Sequence, residues 1–201
     1  MPITTESELR AHYGEVSPVA QAKGITHLDK HCIAFIARSP FLILSTTDGV
    51  RLDASPKGDR PGFVRVVDGN LMIPDWPGNR RLDGMRNILT VPRVGTIFMV
   101  PNVSETLRVN GKASIHIDKD ILEPFEFNGK LPVAVIKVEP EEVFLHCAKA
   151  FMRSKLWQAD TWPERSVLPS MGEMLKDHAK LDAPPYASVQ EMEARLRETL
   201  Y

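Results

Sequence analysis

Two adjacent arginines follow an asparagine near the middle of the sequence, and their position suggests an anion-binding site. Asn79 is a good helix N-cap, so the sequence predicts a helix whose first turn contains Arg80 and Arg81. Cations at this end of a helix oppose its macrodipole unless an anion is bound there. A phosphate would accept hydrogen bonds from the free N–H groups of the first turn and from both guanidinium groups. The alternative is a pair of solvated surface arginines, and the electrostatic conflict favours the anion site.

A second group of polar residues lies between Asp53 and Asp59, where a predicted strand runs into a turn. Ser55 offers a hydroxyl, Lys57 a compact positive charge, and Gly58 a close approach of the backbone. These properties suit a phosphate or the edge of an electron-rich ring. Taken alone, an ordinary surface turn explains the same residues more simply.

Two further segments carry charged and aromatic side chains. Arg108 lies on a strand predicted over residues 106–117, where it either faces solvent or reaches a ligand between subunits; alone, solvent is the simpler interpretation. The segment from His146 to Trp157 mixes cations with aromatic rings, which is typical of a site for a flat anionic ligand. Neighbouring strand residues point to opposite faces, so we expect neither a catalytic pair nor a metal site at His146 and Cys147.

The composition excludes several classes of protein. The chain has 201 residues, and 25 Lys and Arg against 26 Asp and Glu give a net charge of −1, so no basic field attracts nucleic acid or an anionic membrane. No apolar run approaches the roughly 20 residues of a membrane helix. The polar start, Met1 to Tyr13, does not resemble a signal peptide, and two cysteines cannot build a disulfide framework. We therefore expect a reduced, cytoplasmic protein. Glycine-rich dinucleotide and nucleotide loops are missing from the sequence.

The elements that must position these residues fall into three zones. Residues 1–40 read as helical, with a helix beginning at Thr26; residues 41–146 read as strands; residues 147–201 read as helical again. Asp48-Gly49 and Asp68-Gly69 predict hairpins, and Gly111 predicts a β-bulge. The strand zone contains one helix over residues 80–89, and two strands are expected after residue 132.

The predicted fold is mainly β with α, an α+β protein. We expect a split antiparallel β-barrel with one inserted helix and with flanking N- and C-terminal helices. The barrel forms a single domain over residues 1–201, with the helical segment 1–40 and a C-terminal helical arm over 164–201 as its extensions. The arm carries an apolar stripe, Met192, Leu196 and Leu200, that has no obvious partner within one barrel.

Together these motifs resemble the pyridoxamine 5′-phosphate oxidase-related, FMN-binding split-barrel proteins over about residues 30–160. The resemblance rests on the order of Ser55 to Gly58, Asp75 to Arg81, Arg108 to Gly111 and the block from His146 to Trp157. It implies a homodimer with two FMN molecules at the subunit interface.

The resemblance also implies residue roles. Asn79, Arg80 and Arg81 would hold the FMN phosphate, and the remaining residues would line the flavin, some of them contributed by the other subunit. The implied cofactor-binding residues are Ser55, Lys57, Gly58, Asp75, Trp76, Asn79, Arg80, Arg81, Thr106, Arg108, Lys149, Arg153 and Trp157.

The sequence departs from pyridoxamine phosphate oxidase itself in one respect. It lacks the Arg-x-His-x-Arg motif that anchors the substrate phosphate and has only Arg153 and Lys155 in that region, so we do not expect vitamin B6 oxidation. We favour an FMN-dependent oxidoreductase that acts on an unidentified small substrate, with NAD(P)H or that substrate as its redox partner. A non-catalytic flavin- or haem-binding protein or sensor is the alternative, and a structural barrel without cofactor is the third.

Overall fold

We describe the fold from a computed structural model that covers residues 2–201. The α-helices are α1 Glu6–Tyr13, α2 Pro18–Ala22, α3 Lys30–Ile36, α4 Asp83–Thr90, α5 Lys119–Leu122, α6 Lys149–Ser154, α7 Met171–Ala179 and α8 Val189–Glu198. The strands are β1 Phe41–Thr47, β2 Leu52–Gly58, β3 Arg65–Val67, β4 Asn70–Asp75, β5 Arg93–Met99, β6 Thr106–His116 and β7 Ala134–His146. Within residues 2–201, no helix is long and apolar enough to span a membrane.

The seven strands form one antiparallel sheet in the order β2-β1-β5-β6-β7-β4-β3. Leu42 and Leu44 of β1 belong to the same buried cluster as Leu71 and Ile73 of β4, although three strands lie between them in the sheet. The twisted sheet therefore curls around one core. This arrangement, with α4 inserted between β4 and β5 and helices before and after the strands, confirms the predicted split-barrel α+β class. The sequence predicted one inserted helix, and the structure adds a second, α5, between β6 and β7.

The two predicted hairpins differ in their turns. Asp68 and Gly69 both have positive φ, 49° and 77°, and join β3 to β4 directly, as a two-residue primed turn requires. The Asp48-Gly49 segment is instead part of a four-residue loop, because Thr47 pairs with Leu52. The Asp48 carboxylate accepts hydrogen bonds from the N–H groups of Val50 and Arg51 within this loop, so the return strand begins at Leu52 and not at Val50.

The residues Ser55 to Gly58, predicted as a turn, are the second half of β2. Pro56 is tolerated there because β2 is an edge strand, where a missing N–H group interrupts no inner ladder. The predicted helix start at Thr26 is also wrong. Helix α3 begins at Lys30, and Asp29 caps it by accepting hydrogen bonds from the N–H groups of His31 and Cys32, at 2.9 and 2.8 Å.

The predicted bulge at Gly111 is confirmed, and it explains why the last strand is continuous. The register of β6 against β7 shifts between Asn110, which pairs with Glu142, and Gly111, which pairs with Pro140, so Glu141 of β7 is the extra residue. The sequence predicted two separate strands here because Pro140 lies between them. The bulge lets β7 pass through Pro140 as one strand of 13 residues.

Gly111→Ala tests this bulge. A Cβ at this position would overlap the main-chain oxygen of Glu139 and would lie 2.9 Å from its carbonyl carbon. Because these are backbone atoms of a paired strand, we expect the free energy of unfolding to fall by about 3 kcal/mol. Gly78→Ala is the matched control, since a Cβ there meets no atom within 4 Å. Equal stability of the two variants in urea denaturation would contradict the bulge.

Candidate functional site

A cavity of about 660 Å³ lies between the edge strand β2, the loop that follows β4 and the first turn of α4. This volume is in the range of small-molecule and cofactor sites. Most of its polar wall comes from residues that the sequence singled out. Its predicted site residues are Ser55, Lys57, Asp75, Trp76, Asn79, Arg80 and Arg81.

An ion pair between Lys57 and Asp75 crosses this cavity. Lys57 Nζ contacts Asp75 Oδ1, and the two side chains are only 23% and 16% exposed. Lys57 belongs to the edge strand β2 and Asp75 ends β4, near the opposite edge of the sheet. The ion pair therefore joins the two ends of the curled sheet and fixes the width of the cavity at that point.

The helix beside the cavity starts later than the sequence predicts. Helix α4 begins at Asp83, and both Arg80 and Leu82 have left-handed backbone, with φ of 61° and 59°. A right-handed helix cannot pass through such residues. Asn79 does not cap the helix; its Oδ1 accepts the Arg81 N–H at 3.0 Å within the loop. Arg80 and Arg81 thus precede α4 and lie outside its first turn.

The first turn of α4 nevertheless faces the cavity without a side-chain cap. Leu82 occupies the N-cap position, and it has no oxygen that could accept the orphan N–H groups. The wall of the cavity includes Leu82, Asp83, Gly84 and Met85. Gly84 permits a close approach to β2, because a Cβ there would lie 3.1 Å from Asp53 Oδ2. The positive end of the helix dipole is therefore available to a ligand.

The charges around the cavity are partly neutralised. Arg81 Nε donates to Asp83 Oδ2 at 2.8 Å, and this hydrogen bond and charge raise the pKa of Arg81 above its usual value. Ser55 Oγ donates to Asp53 Oδ2 at 2.8 Å. Within residues 2–201, Arg80 makes no ion pair, so its guanidinium remains free to bind an anion.

Trp76 carries a buried donor that has no partner. Its Nε1 is enclosed by the protein and makes no hydrogen bond. Leaving such a group unpaired costs about 1–3 kcal/mol, which a ligand that accepts a hydrogen bond would recover. The ring of Tyr201 packs edge-on against Trp76, with 4.9 Å between centroids. The sequence contained no signal for this contact.

Six of the predicted site residues lie outside the cavity. Gly58 lies against the ring of Phe41 and the carbonyl of Pro40. Trp157 Nε1 donates to the main-chain oxygen of Val103 at 2.9 Å, and its ring stacks on Phe151. The other four are on β6 and α6, and they are Thr106, Arg108, Lys149 and Arg153.

A second polar cluster forms around Phe144 on β7. Arg108 and Lys23 lie over its ring, at 5.0 and 4.2 Å from the centroid, and His146 packs against it. Arg108 Nε and His146 Nε2 are buried without hydrogen-bond partners, although another Arg108 nitrogen pairs with Glu142. Burial and the charges of Arg108 and Lys23 lower the pKa of His146, so the ring is neutral at physiological pH. Sequence analysis missed Lys23 and Phe144.

The two cysteines have opposite environments. Cys147 is exposed, and the Lys149 N–H group with the charges of Lys149 and Lys23 lowers the pKa of its thiol. Burial of Cys32 raises the pKa of its thiol to about 11. Within residues 2–201, no group of three or more His, Cys, Asp or Glu side chains could hold a metal ion.

The curled antiparallel sheet with its inserted helix defines a split-barrel α+β protein. The family model described as pyridoxamine 5′-phosphate oxidase matches residues 28–147, more than half of the sequence. The chain belongs to this family. No curated protein matches the sequence.

Several solved structures are similar to this chain. HupZ from Group A Streptococcus is 18% identical, with a TM-score of 0.47, and the match covers 58% of this chain and 92% of HupZ. General Stress Protein 26 from Bacillus anthracis str. Sterne is 20% identical, with a TM-score of 0.45, and the match covers 56% of this chain and 89% of that protein.

The ion pair across the cavity gives a stability prediction. Lys57→Met or Asp75→Asn leaves one partly buried charge without its partner, so we expect each change to lower the free energy of unfolding by about 1–2 kcal/mol. The free energy of unfolding of the double variant should fall by about 1 kcal/mol less than the sum of the losses in the two single variants. Denaturant titrations of all four proteins measure this coupling.

Lys119 and Glu123 provide the control pair. They are 3.4 Å apart, with side chains 81% and 55% exposed. The same double-variant cycle there should give a coupling below about 0.5 kcal/mol. A Lys57–Asp75 coupling no larger than that would show that the pair does not hold the sheet ends together.

Proposed function

We propose that the chain binds FMN in the cavity between β2 and α4 and that it is an oxidoreductase acting on a small substrate. The observation that carries the proposal is the convergence of seven predicted residues on one cavity, from β2, the end of β4 and the loop before α4. Membership of the pyridoxamine 5′-phosphate oxidase family supports the same cofactor.

The loop before α4 suits the phosphate of FMN. The uncapped first turn of α4 and the unpaired Arg80 would donate to the phosphate oxygens, and Asn79 borders the same space. Left-handed backbone at Arg80 and Leu82 costs roughly 1–3 kcal/mol at each residue, and strain of this kind is concentrated at binding sites. The nearby carboxylate of Asp83 is already neutralised by Arg81, so it opposes an anion less strongly.

The opposite wall suits a flat ring system. The Trp76 indole and its unpaired Nε1 would contact the isoalloxazine or its ribityl chain, and Ser55 lies on the same wall. Asp75 holds Lys57 Nζ in a fixed position beside the ring edge. When bound, FMN supplies the electron-transfer chemistry, while the protein orients the ring and excludes water.

We further propose that the protein is a homodimer and that the second group of predicted residues completes the site from the partner subunit. None of these residues lines the cavity of its own chain, and a second copy would supply those that are at least partly exposed, which are Arg108, Lys149, Arg153 and Trp157. Leu196 and Leu200 of the C-terminal arm are 52% and 56% exposed, and packing against a second copy would bury these apolar side chains. Sedimentation equilibrium of the flavin-loaded protein tests the dimer.

We place the protein in the cytoplasm, in keeping with its two free cysteines.

Anaerobic addition of NADPH to the FMN-loaded protein tests the redox function. We expect the visible flavin absorption to bleach and to return when air is admitted. A flavin that stays bound but is reduced neither by NADPH nor by NADH favours the non-catalytic binding protein or sensor. Protein that remains colourless after saturation with FMN would contradict the cofactor assignment itself.

Arg80→Ala tests the phosphate position. A charge-assisted hydrogen bond contributes roughly 1.5–3 kcal/mol, so we expect FMN affinity to fall by about tenfold to a hundredfold. Arg81→Ala should have a smaller effect, since Asp83 already holds that guanidinium, and the double variant should be mostly flavin-free. Fluorescence titration with FMN measures these affinities.

Riboflavin and a distant arginine serve as the controls. Riboflavin lacks the phosphate, so its weaker binding should change little in any of these variants. Arg38→Ala removes an exposed arginine beyond α3 and should leave FMN affinity as in the wild type. If FMN affinity survives the loss of both Arg80 and Arg81, the phosphate is bound elsewhere.

A further inference from the structure

Tyr201 of the C-terminal arm contacts the barrel through its ring, its hydroxyl and its main-chain oxygen. The ring of Tyr201 lies between Trp76 and Phe127, at centroid distances of 4.9 and 4.6 Å. Its hydroxyl donates to Asp59 Oδ1 at 2.7 Å, and Lys130 Nζ donates to its main-chain oxygen at 2.6 Å. We call the space bounded by Asp59, Trp76, Phe127 and Lys130 the tyrosine slot.

The tyrosine slot is built around a buried carboxylate. The Asp59 side chain is only 5% exposed, and the same Oδ1 also accepts the N–H of Arg60 at 2.6 Å. Burial and the Asp59 carboxylate raise the pKa of Tyr201, so its hydroxyl stays protonated and donates. Arg60 lies over the outer face of Phe127, with its guanidinium carbon 3.8 Å from the ring centroid. The slot therefore recognises an aromatic ring, a hydroxyl donor and, at its other end, an oxygen acceptor.

The rest of the arm holds Tyr201 in place only weakly. No residue of α8 is buried, and Gly172 is the buried residue of α7. Apolar burial is the main source of attachment energy, and the α8 side chains Val189 and Met192 are only half-buried, so this arm can leave and return at modest cost. The slot also adjoins the larger cavity, because Trp76 lines that cavity and forms one wall of the slot.

We propose that the tyrosine slot is a binding site for a hydroxyphenyl compound that carries a carboxylate or carbonyl group, and that Tyr201 is its intramolecular occupant. Asp59 would accept the ligand's hydroxyl, Trp76 and Phe127 would enclose its ring, and Lys130 would hold its carboxylate. Such a ligand must displace Tyr201 before it binds. The binding step does not rest on FMN; if FMN occupies the neighbouring cavity, the slot lies beside the flavin and defines a substrate class.

Calorimetric titration with 3-(4-hydroxyphenyl)propionate tests the proposal on the full chain. The apparent affinity equals the affinity of the open slot multiplied by the fraction of molecules in which the slot is open. Because Tyr201→Ala leaves the slot open in every molecule, this variant should bind the probe at least tenfold more tightly than the wild type. In the same variant, 3-phenylpropionate should bind at least tenfold more weakly than the hydroxylated probe, because it cannot replace the hydroxyl that Tyr201 donates to the buried Asp59 carboxylate.

Further variants distinguish the effect of Tyr201 in the slot from a general effect of changing the arm. Asp59→Asn in the Tyr201→Ala background should reduce the preference for the hydroxylated probe, and Tyr201→Phe should give an intermediate affinity. Tyr186→Ala, elsewhere in the arm, should bind like the wild type. Equal affinity of wild type and Tyr201→Ala, equal binding of the two probes, or no binding to a folded Tyr201→Ala protein would each overturn the proposal. These titrations need no flavin, so their failure is distinct from a failure of FMN binding.

Discussion

The barrel depends on the curl of its sheet, and the Lys57–Asp75 ion pair joins strands β2 and β4, which the curl brings close together. Lys57 is on the edge strand β2 and Asp75 is on β4, next to the other edge strand, and their side chains meet because one core packs the inner faces of β1 and β4 together. The hydrophobic core brings the ends close, and the ion pair sets their spacing. A partly buried ion pair contributes modestly to stability, so its larger consequence is the shape of the cavity beside it.

The loop between β4 and α4 carries strained backbone beside the Lys57–Asp75 ion pair. Two residues with side chains adopt left-handed backbone, and the helix that follows begins without a cap. Each feature costs stability, and together they expose N–H groups and an unpaired guanidinium to one cavity. Binding of an anionic cofactor gives one physical reason for all three features.

Much of the fold was predictable because it rests on local patterns. Alternating apolar residues predicted the strands, Asp68-Gly69 the primed turn, and Gly111 the bulge. The start of α4 was not predictable, because Asn79 is equally suited to cap a helix or to close a turn, and residue type alone does not reveal left-handed backbone at Arg80 and Leu82. The contact of Tyr201 with Asp59 joins residues 142 positions apart and follows from tertiary packing alone.

The predicted site residues also divide into those that local sequence or the curl of the sheet brings together and those that it does not. Residues close together in sequence, or on strands that the curl joins, gather in one cavity, and those on β6 and α6 do not. A crystal structure of the protein with FMN tests the central claim most directly. We expect the phosphate within hydrogen-bond distance of Arg80 and the first N–H groups of α4, with the ring beside Trp76. FMN bound with its phosphate away from this loop would contradict it.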